Sequence, residues 1–318
     1  MGNPIVVVGS INLDLVAGAP RIPRSGETLT GNSFRTFFGG KGANQAVAVA
    51  RLGHPAMMVG SVGDDAFGEQ LRGGLRQAGV STEAVNTVSG ASGVAIIVTS
   101  ATGQNSIVVI PGANGQLDPQ QLERHGKLLQ KAGILLAQLE IPLESVEFLA
   151  ELAERYGIPF MLDPAPARGL SESLLRKVTW LMPNETEAES LLNIEELAAD
   201  DAVEAASALL QKGPKNVILK LGSRGCVLAT AGKAPEIIPA FSVQPVDTTA
   251  AGDAFSGGFA VGLIRGYSAR DSAIFASAVA AISVMRHGAQ SSMPSDREVL
   301  SFLKERKSDA AFAESSAD

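Results

Sequence analysis

The stretch DTTAAGDAFSGGF, from Asp247 to Phe259, combines small residues with two carboxylates in a pattern that suits phosphoryl transfer. If a helix begins near Ala251, its first unpaired N–H groups form an anion site that the helix dipole strengthens. The N–H groups of this predicted anion hole belong to Ala250, Ala251, Gly252 and Asp253. Such a site can hold the charge on a migrating phosphoryl group, while Asp253 accepts the proton of the attacking hydroxyl. An acid in a first turn is also ordinary helix stabilisation, about 0.3–1 kcal/mol, but that alternative leaves the Ala-Ala-Gly run unexplained.

Polar residues after the first apolar run, and within a glycine-rich stretch, suggest recognition of hydroxyl groups. Asn12 and Asp14, in GSINLD, lie two residues apart in extended chain and therefore on one side of it. An Asx turn is an equally weighted alternative for this pair. In FFGGKGANQA, Gly40 and Asn44 lie one turn apart on a predicted helix face, beside Lys41. The spacing is not that of a Walker A loop, so the alternative to hydroxyl recognition is a flexible turn with a solvated lysine.

Three further stretches carry candidate residues, each with a simpler structural alternative. Glu140 follows an apolar strand in QLEIP, where a surface acid is common. Asn184 precedes Glu187 by three residues, which is nearly a capping box, although the same geometry could present a carboxylate to hydrated Mg²⁺. In LGSRG, Gly222 and Gly225 indicate either a hairpin turn or a loop under a nucleotide phosphate.

The elements that must position these residues alternate between apolar strands and helices. Predicted strands are IVVVGS, MMVGSVG, ILLAQL, PFMLDPA, TWLMPN and VILKLGSRG, and predicted helices cover 42–53, 68–79, 143–157 and 200–213. This alternation predicts an α/β fold with a central, mostly parallel sheet flanked by helices on both faces. Residues 13–38 and 93–110 break the alternation with short β segments and a hairpin, and we expect them to form a small β-sheet lid. The core is then 1–12, 39–92 and 111–303, and the polar residues 304–318 are expected to be a disordered tail.

Composition excludes several classes of function. A net charge of −7 over 318 residues argues against an electrostatic grip on nucleic acid or on an anionic membrane. The lone cysteine, Cys226, excludes an internal disulfide and fits a reducing cytosol. The segment MGNPIVVVGS is typical of a first strand rather than a signal peptide, and no apolar run reaches the length of a membrane span. The expected location is the cytoplasm.

With these motifs in order, the chain resembles the ribokinase family of sugar and nucleoside kinases, which are PfkB-type carbohydrate kinases. The resemblance is carried by GSINLD, GETLTGNSF, FGGKGANQA, GDDAFGE, QLEIPLESV, DPAPAR, PNETEAE, LGSRG, VDTTAAGDAF and HGAQSSMP. GGKGANQ together with AAGD is highly specific, whereas neither is specific alone. Ala251 is an accepted variant of the family's anion-hole motif. Lys220 departs from the family pattern, in which threonine is frequent, and we expect it to affect nucleotide affinity.

The resemblance implies an ATP-dependent sugar kinase that phosphorylates the 5-hydroxyl of a sugar, D-ribose foremost, with Asp253 as catalytic base. The implied sugar ligands are Asn12, Asp14, Gly40, Lys41, Asn44, Glu140 and Asp253. The implied ATP site comprises Asn184, Lys220, Leu221, Gly222, Ser223, Arg224, Gly225, Gly252, Asp253 and Ser277. Glu187 is implied to orient the water shell of Mg²⁺, and a monovalent cation, usually K⁺, to be held by Asp247, Thr249, Ser283, Arg286, Gly288 and Ser292. Two lids are implied to clasp into a homodimer.

Several alternatives stay open from the residues alone. The nearest is another kinase of the same family, acting on 2-deoxyribose, a ketose or a nucleoside, because the sequence does not show how tightly a 2-hydroxyl is paired. A non-catalytic sugar-binding protein is disfavoured by the intact Asp253 and its small-residue run. A nicotinamide-dependent oxidoreductase lacks its G-x-G-x-x-G fingerprint after the first strand, and metal-dependent hydrolysis lacks a histidine or cysteine cluster.

Overall fold

The computed structural model describes residues 2–315 of the protein, which build two β-sheets and their surrounding helices. The strands, in chain order, are β1 (Ile5–Val8), β2 (Asn12–Ala19), β3 (Ser33–Gly39), β4 (Ala56–Gly63), β5 (Ser81–Val88), β6 (Gly93–Ser100), β7 (Asn105–Ile110), β8 (Ile134–Ala137), β9 (Phe160–Leu162), β10 (Trp180–Leu181), β11 (Asn216–Lys220), β12 (Cys226–Thr230) and β13 (Glu236–Ile238). The helices are α1 (Lys41–Arg51), α2 (Ala66–Gln77), α3 (Pro119–Arg124), α4 (Gly126–Leu129), α5 (Leu143–Tyr156), α6 (Glu172–Leu175), α7 (Glu185–Leu192), α8 (Ala202–Gln211), α9 (Ala251–Ile264), α10 (Ala269–Val284) and α11 (Asp296–Ser315).

The larger sheet has the strand order β13-β12-β11-β10-β9-β8-β1-β4-β5. Its strands pair in parallel from β11 to β5, and only β12 and β13 pair antiparallel. Alternate residues of β1 enter two different cores: Ile5 and Val7 pack with α1, α9 and α10, whereas Val6 and Val8 pack with α5 and α8. This two-sided burial explains the continuous apolar strands, and the predicted α/β architecture is confirmed.

The smaller sheet has the order β3-β2-β6-β7 and contains the strands predicted within 13–38 and 93–110. β6 and β7 form the expected antiparallel hairpin, and β2 pairs in parallel with β6. Because β2 follows β1 after three residues, the small sheet begins where the first strand of the large sheet ends. This connection brings Asn12 and Asp14 to the edge at which the parallel strands terminate.

The chain beyond residue 303 differs from the expected disordered tail. Helix α11 begins at Asp296 and its backbone continues to Ser315, through a segment rich in Lys, Glu and Ala, which are strong helix formers. Residues 316–318 lie outside the described part of the chain. Within the described residues, no helix combines the length and apolar character that a membrane crossing requires.

Candidate active site

Asp253 lies in the first turn of α9, which begins at Ala251 as the small-residue run predicts. Helix α1 packs directly against α9, where a Cβ on Gly257 would lie only 2.7 Å from the Cβ of Ala48. This close approach allows two α1 side chains to reach the carboxylate. Asn44 Nδ2 donates to Asp253 Oδ2 at 2.9 Å, and Gln45 Nε2 donates to Asp253 Oδ1 at 3.1 Å.

The Asp253 carboxylate is only 5% exposed, which sets its acidity. Burial raises the pKa of Asp253 to about 6, the positive charge of Lys41 opposes that rise, and the negative charge of Asp163 adds to it. A carboxylate in this range is ionised at neutral pH and is a stronger base than an ordinary aspartate. These are the properties that a general base for a sugar hydroxyl requires.

The start of α9 offers fewer free amides than the sequence suggests. No side chain caps the helix, but the N–H of Ala251 donates to Thr248 O at 3.2 Å and is therefore engaged in a turn. Ala250 has a φ of 60°, a left-handed conformation that costs a non-glycine residue about 1 kcal/mol or more. A Cβ on Gly252 would meet only Lys220 Nζ, at 3.6 Å, so an ammonium group stands beside this helix terminus.

Glu140 and Lys41 lie near Asp253, and Glu140 contacts the loop after β1. Glu140 Oε2 accepts from Ser10 Oγ at 2.5 Å and from the backbone N–H of Lys41 at 3.1 Å. Burial alone would lower the pKa of Lys41, but the carboxylates of Asp253, Asp163 and Glu140 outweigh it and raise that pKa. The ammonium of Lys41 is therefore charged and sits among acids.

Asn12 and Gly40 are fixed by close contacts between neighbouring loops. Asn12 Oδ1 accepts from Asn114 Nδ2 at 2.7 Å, and Asn114 Oδ1 accepts from the N–H of Ile11 at 2.9 Å. Gly40 has a φ of 87°, and a Cβ there would lie 2.7 Å from the N of Asn12. Only glycine fits this position, which the sequence identified, whereas Asn114 was missed because it belongs to a distant segment.

Asp14 lacks the protein partners that its neighbours have. Within the described residues no group donates a hydrogen bond to its carboxylate, although the side chain is largely desolvated. Burial, together with the charges of Glu140 and Asp253, raises the pKa of Asp14 to about 7. A desolvated acceptor without a protein donor is suited to receive hydrogen bonds from a bound ligand.

A cavity of about 420 Å³ borders the start of α9, where Ala251, Gly252 and Phe255 line it, and it is large enough for a small organic ligand. The predicted nucleotide residues in its lining are Lys220, Gly222, Ser223, Gly225, Gly252 and Ser277, and the predicted anion-hole residue Ala251 lines it too. Phe241, Val243 and Val284 add an apolar wall that sequence reasoning missed. Phe241 and Val243 lie in a loop without periodicity, and Val284 is the last residue of α10. We call this space the α9 cavity.

Four predicted nucleotide residues, Asn184, Leu221, Arg224 and Asp253, do not line the α9 cavity. The Asp253 carboxylate instead accepts from Asn44 and Gln45. Arg224 forms an ion pair with Glu185 and donates to Ala199 O, so its guanidinium turns toward α7. Leu221 is buried in the core, and Asn184 caps α7. Membership of the LGSRG loop therefore did not bring Leu221 or Arg224 into the lining of the cavity.

Asn184 and Glu187 form the capping box that was the simpler interpretation of their spacing. Glu187 Oε2 accepts from Asn184 N at 2.8 Å and Oε1 from Asn184 Nδ2 at 2.9 Å, while Asn184 Oδ1 accepts from Glu187 N at 2.9 Å. Burial raises the pKa of Glu187, and the charge of Lys220 partly offsets that rise. Each carboxylate oxygen keeps the capacity to accept a second hydrogen bond.

Among the residues proposed to hold a monovalent cation, Asp247 links the segment before α9 to Gly288. Its Oδ1 accepts from Thr249 N and its Oδ2 from Gly288 N, both at 2.9 Å. Ser283 and Ser292 instead donate to backbone carbonyls in their own turns, and Arg286 pairs with Glu298. Within the described residues, no three His, Cys, Asp or Glu side chains are grouped to hold a metal ion directly.

Asp163 is a site residue to which sequence reasoning gave no role. It follows β9, and its carboxylate accepts hydrogen bonds from Lys220, Gln45 and Ser256. The sequence contained a signal for this residue, because Asp163, like Glu140, follows an apolar strand at the same edge of the sheet.

Comparison with known proteins places this geometry in a family. Residues 3–296 match the family model described as pfkB family carbohydrate kinase. The chain is 42% identical to the ribokinase of Haemophilus influenzae over 96% of this chain and 99% of that protein, and 38% identical to the deoxyribokinase of Salmonella typhi over 94% and 98%. The solved structure of Arabidopsis thaliana ribokinase complexed with ribose and ATP superposes with a TM-score of 0.90, at 35% identity over 96% of this chain and 99% of that chain. Matched along nearly its whole length, the chain belongs to the pfkB family of carbohydrate kinases.

Proposed function

We propose that this kinase transfers the γ-phosphoryl group of ATP to the 5-hydroxyl of D-ribose. The observation that carries the proposal is the position of Asp253, whose charge acts on the unpartnered Asp14 carboxylate and whose neighbours Ala251 and Gly252 line the α9 cavity. The similarity to ribokinases, including one complexed with ribose and ATP, supports ribose and ATP as the two substrates.

In the proposed mechanism, sugar hydroxyls donate to Asp14 and Glu140, and Asn44 and Asn12 contribute their amides. Asn44 Oδ1 is buried without a partner in the described structure, so it is an available acceptor for a hydroxyl. Asp253 removes the proton of the 5-hydroxyl, whose oxygen then attacks the γ-phosphorus of ATP as the bond from that phosphorus to the β,γ-bridging oxygen breaks and ADP leaves. The terminus of α9 and the ammonium of Lys220 stabilise the charge on the transferred group.

Two cations belong to the proposal. Mg²⁺ bound to the nucleotide would neutralise phosphate charge, and Glu187 would contact its water shell, which fits the absence of a direct ligand group among the described residues. A monovalent cation, K⁺ foremost, would lie near Asp247, whose carboxylate already ties the segment before α9 to Gly288. The residues Thr249, Ser283, Arg286, Gly288 and Ser292 would complete that site, several through backbone oxygens. We place the enzyme in the cytoplasm, where its buried cysteine stays reduced.

One assay of ADP release separates ribose from its competitors. We expect kcat/KM to be highest for ribose and at least about 10-fold lower for 2-deoxyribose, because groups that pair the 2-hydroxyl are left unpaired. Fructose and adenosine serve as further acceptors, and each is assayed with K⁺ and with Na⁺. We expect faster ADP release with K⁺. Equal or greater kcat/KM with deoxyribose would instead favour the deoxyribokinase alternative, which the Salmonella typhi relative supports.

We also propose that the small sheet is a lid that pairs with a second copy. By the strand register, Phe34, Ile96 and Val108 lie on one face of this sheet, opposite to the face of Asp14. Their exposed fractions are 66%, 46% and 59%, which is unusual for large apolar side chains grouped on one surface. A second copy of the same face would cover them.

The lid proposal predicts a dimer in solution. We expect sedimentation velocity to give twice the monomer mass, and the substitution Val108→Lys to shift the protein to monomers, because a charge cannot be buried there without a partner. Gln77→Lys, on the exposed face of α2, is the control and should leave the dimer unchanged. A monomeric wild-type protein at micromolar concentration would contradict the proposal.

A further inference from the structure

Asp163 is a buried carboxylate on which hydrogen bonds converge from three elements. Its Oδ1 accepts from Lys220 Nζ at 2.8 Å, and its Oδ2 accepts from Gln45 Nε2 at 3.0 Å and from Ser256 Oγ at 2.8 Å. The residue is only 2% exposed. It therefore ties the end of β11, the first turns of α1 and the body of α9 to the end of β9.

Gln45 connects Asp163 to the base. Its Nε2 donates both to Asp163 Oδ2 and to Asp253 Oδ1, and its Oε1 accepts from Gln138 Nε2 at 2.5 Å. The reverse orientation of the amide would place an acceptor against two carboxylates. Gln138 and Asp163 together therefore fix the orientation of the amide that holds Asp253.

Lys220 connects Asp163 to the α9 cavity on the other side. Its side chain is 12% exposed, lines the cavity, and stands beside Gly252 at the helix terminus. The carboxylate of Asp163 compensates this buried ammonium and determines where it points. Asp163 thus contacts Lys220 at the α9 cavity directly, and it reaches Asp253 through Gln45.

We propose that Asp163 is a positioning residue, which holds Asp253 through Gln45 with one oxygen and holds Lys220 at the α9 cavity with the other. The proposal rests on the proposed function in that Asp253 is the base and Lys220 faces the nucleotide. Asp163 itself touches neither substrate, and its effect on catalysis passes through these two neighbours.

The first test is a double-mutant cycle between Asp163 and Gln45, using kcat at saturating substrates. We expect Asp163→Asn and Gln45→Met each to lower kcat at least about 10-fold, and the double variant to be no slower than the slower single variant. This is the behaviour of two residues that act on Asp253 in series. Multiplicative losses in the double variant would show independent action and would overturn the inference.

The second test uses the pH dependence of kcat, whose acidic limb reports protonation of the base. The charged groups that face Asp253 are Lys41 on α1, Asp14 on β2, Glu140 after β8 and Asp163 after β9. Removing the charge of Asp163 lowers the pKa of Asp253, so Asp163→Asn should move the acidic limb to lower pH. Lys220→Met leaves Asp163 uncompensated and should move the limb to higher pH.

A merely structural role of Asp163 would not displace the acidic limb of kcat in opposite directions in Asp163→Asn and Lys220→Met. The double variant Asp163→Asn, Lys220→Met should return the limb to near its wild-type position, and thermal unfolding checks that each variant is folded. If Asp163→Asn does not fold, Lys220→Met and Gln45→Met still test the two branches separately. Limbs that move together, or not at all, would overturn the inference.

Failure of the proposed function would look different. If the wild-type enzyme phosphorylates another sugar better than ribose, the same variants are assayed with that sugar. The inference about Asp163 is then judged by the same criteria. A crystal structure of Asp163→Asn gives a readout that needs no activity. We expect the Gln45 amide and the Asp253 carboxylate to be displaced there, and unchanged positions of both would contradict the proposal.

Discussion

Replacing Asp253 with asparagine is expected to lower kcat by about 10²–10⁴-fold, the usual range for the loss of a general base. The amide has the size of the carboxylate, but it cannot accept the hydroxyl proton, and its single oxygen can accept from only one of the two donors, Asn44 and Gln45, that bond Asp253. The measurement is ADP release at saturating sugar and ATP. A variant that retains near-wild-type kcat would remove Asp253 from the role of base.

The same substitution should not unfold the protein. Because the pKa of Asp253 in the folded state is raised to about 6, its charged form is disfavoured by folding at neutral pH. The neutral amide removes that penalty, so we expect Tm to be equal to or higher than that of the wild type. A large fall in Tm would show that lost activity comes from unfolding.

Asp271 provides a matched control for the helix-stabilisation alternative. It is the third residue of α10, as Asp253 is of α9, but it is exposed and pairs with Ser268. Asp271→Asn should lower stability by about 0.3–1 kcal/mol, the value of a first-turn acid, and leave kcat within about twofold. If Asp253 were also only a first-turn acid, the two variants would behave alike.

Local patterns in the sequence were sufficient for most of the fold. The inner strands of the large sheet are buried on both faces, so IVVVGS and its counterparts are continuous apolar runs that a short sequence window detects. The start of α9 at Ala251 and the capping box at Asn184 are also local, because each depends on residues within one helical turn. Local composition was misleading for the C-terminal segment, because its polarity predicted disorder although its residues favour a helix.

The side-chain network of the site could not be predicted in this way. Gln45 and Asp253 are separated by 208 positions, and Asn12 and Asn114 by 102, so no periodicity relates them. The sheet order alone brings their loops together at one edge. Asp163 and Glu140 share that edge, yet choosing which acids face the cavity requires the twist and packing of the finished fold.

The second large effect is expected at Asp14. Asp14→Ala should raise the dissociation constant for ribose about 10–100-fold, since a hydrogen bond to a charged group contributes about 1.5–3 kcal/mol. Titration calorimetry with ribose measures the affinity directly, without the contribution of Asp253 to the rate. Asp14→Asn retains the shape of the side chain and should give an intermediate loss. Unchanged affinity in both variants would remove Asp14 from the sugar site.

The pH dependence of ribose affinity tests the charge of Asp14 rather than its shape. Its pKa is raised to about 7, so the carboxylate is ionised above that pH and becomes protonated as the pH falls through it. The ionised form is the stronger acceptor for sugar hydroxyls, so the dissociation constant should rise as the pH is lowered from 8 to 6. Asp253, with its pKa of about 6, contributes at the lower end of this range. In Asp14→Asn the dependence between pH 8 and 7 should be largely lost, and its persistence would assign the titration to another group.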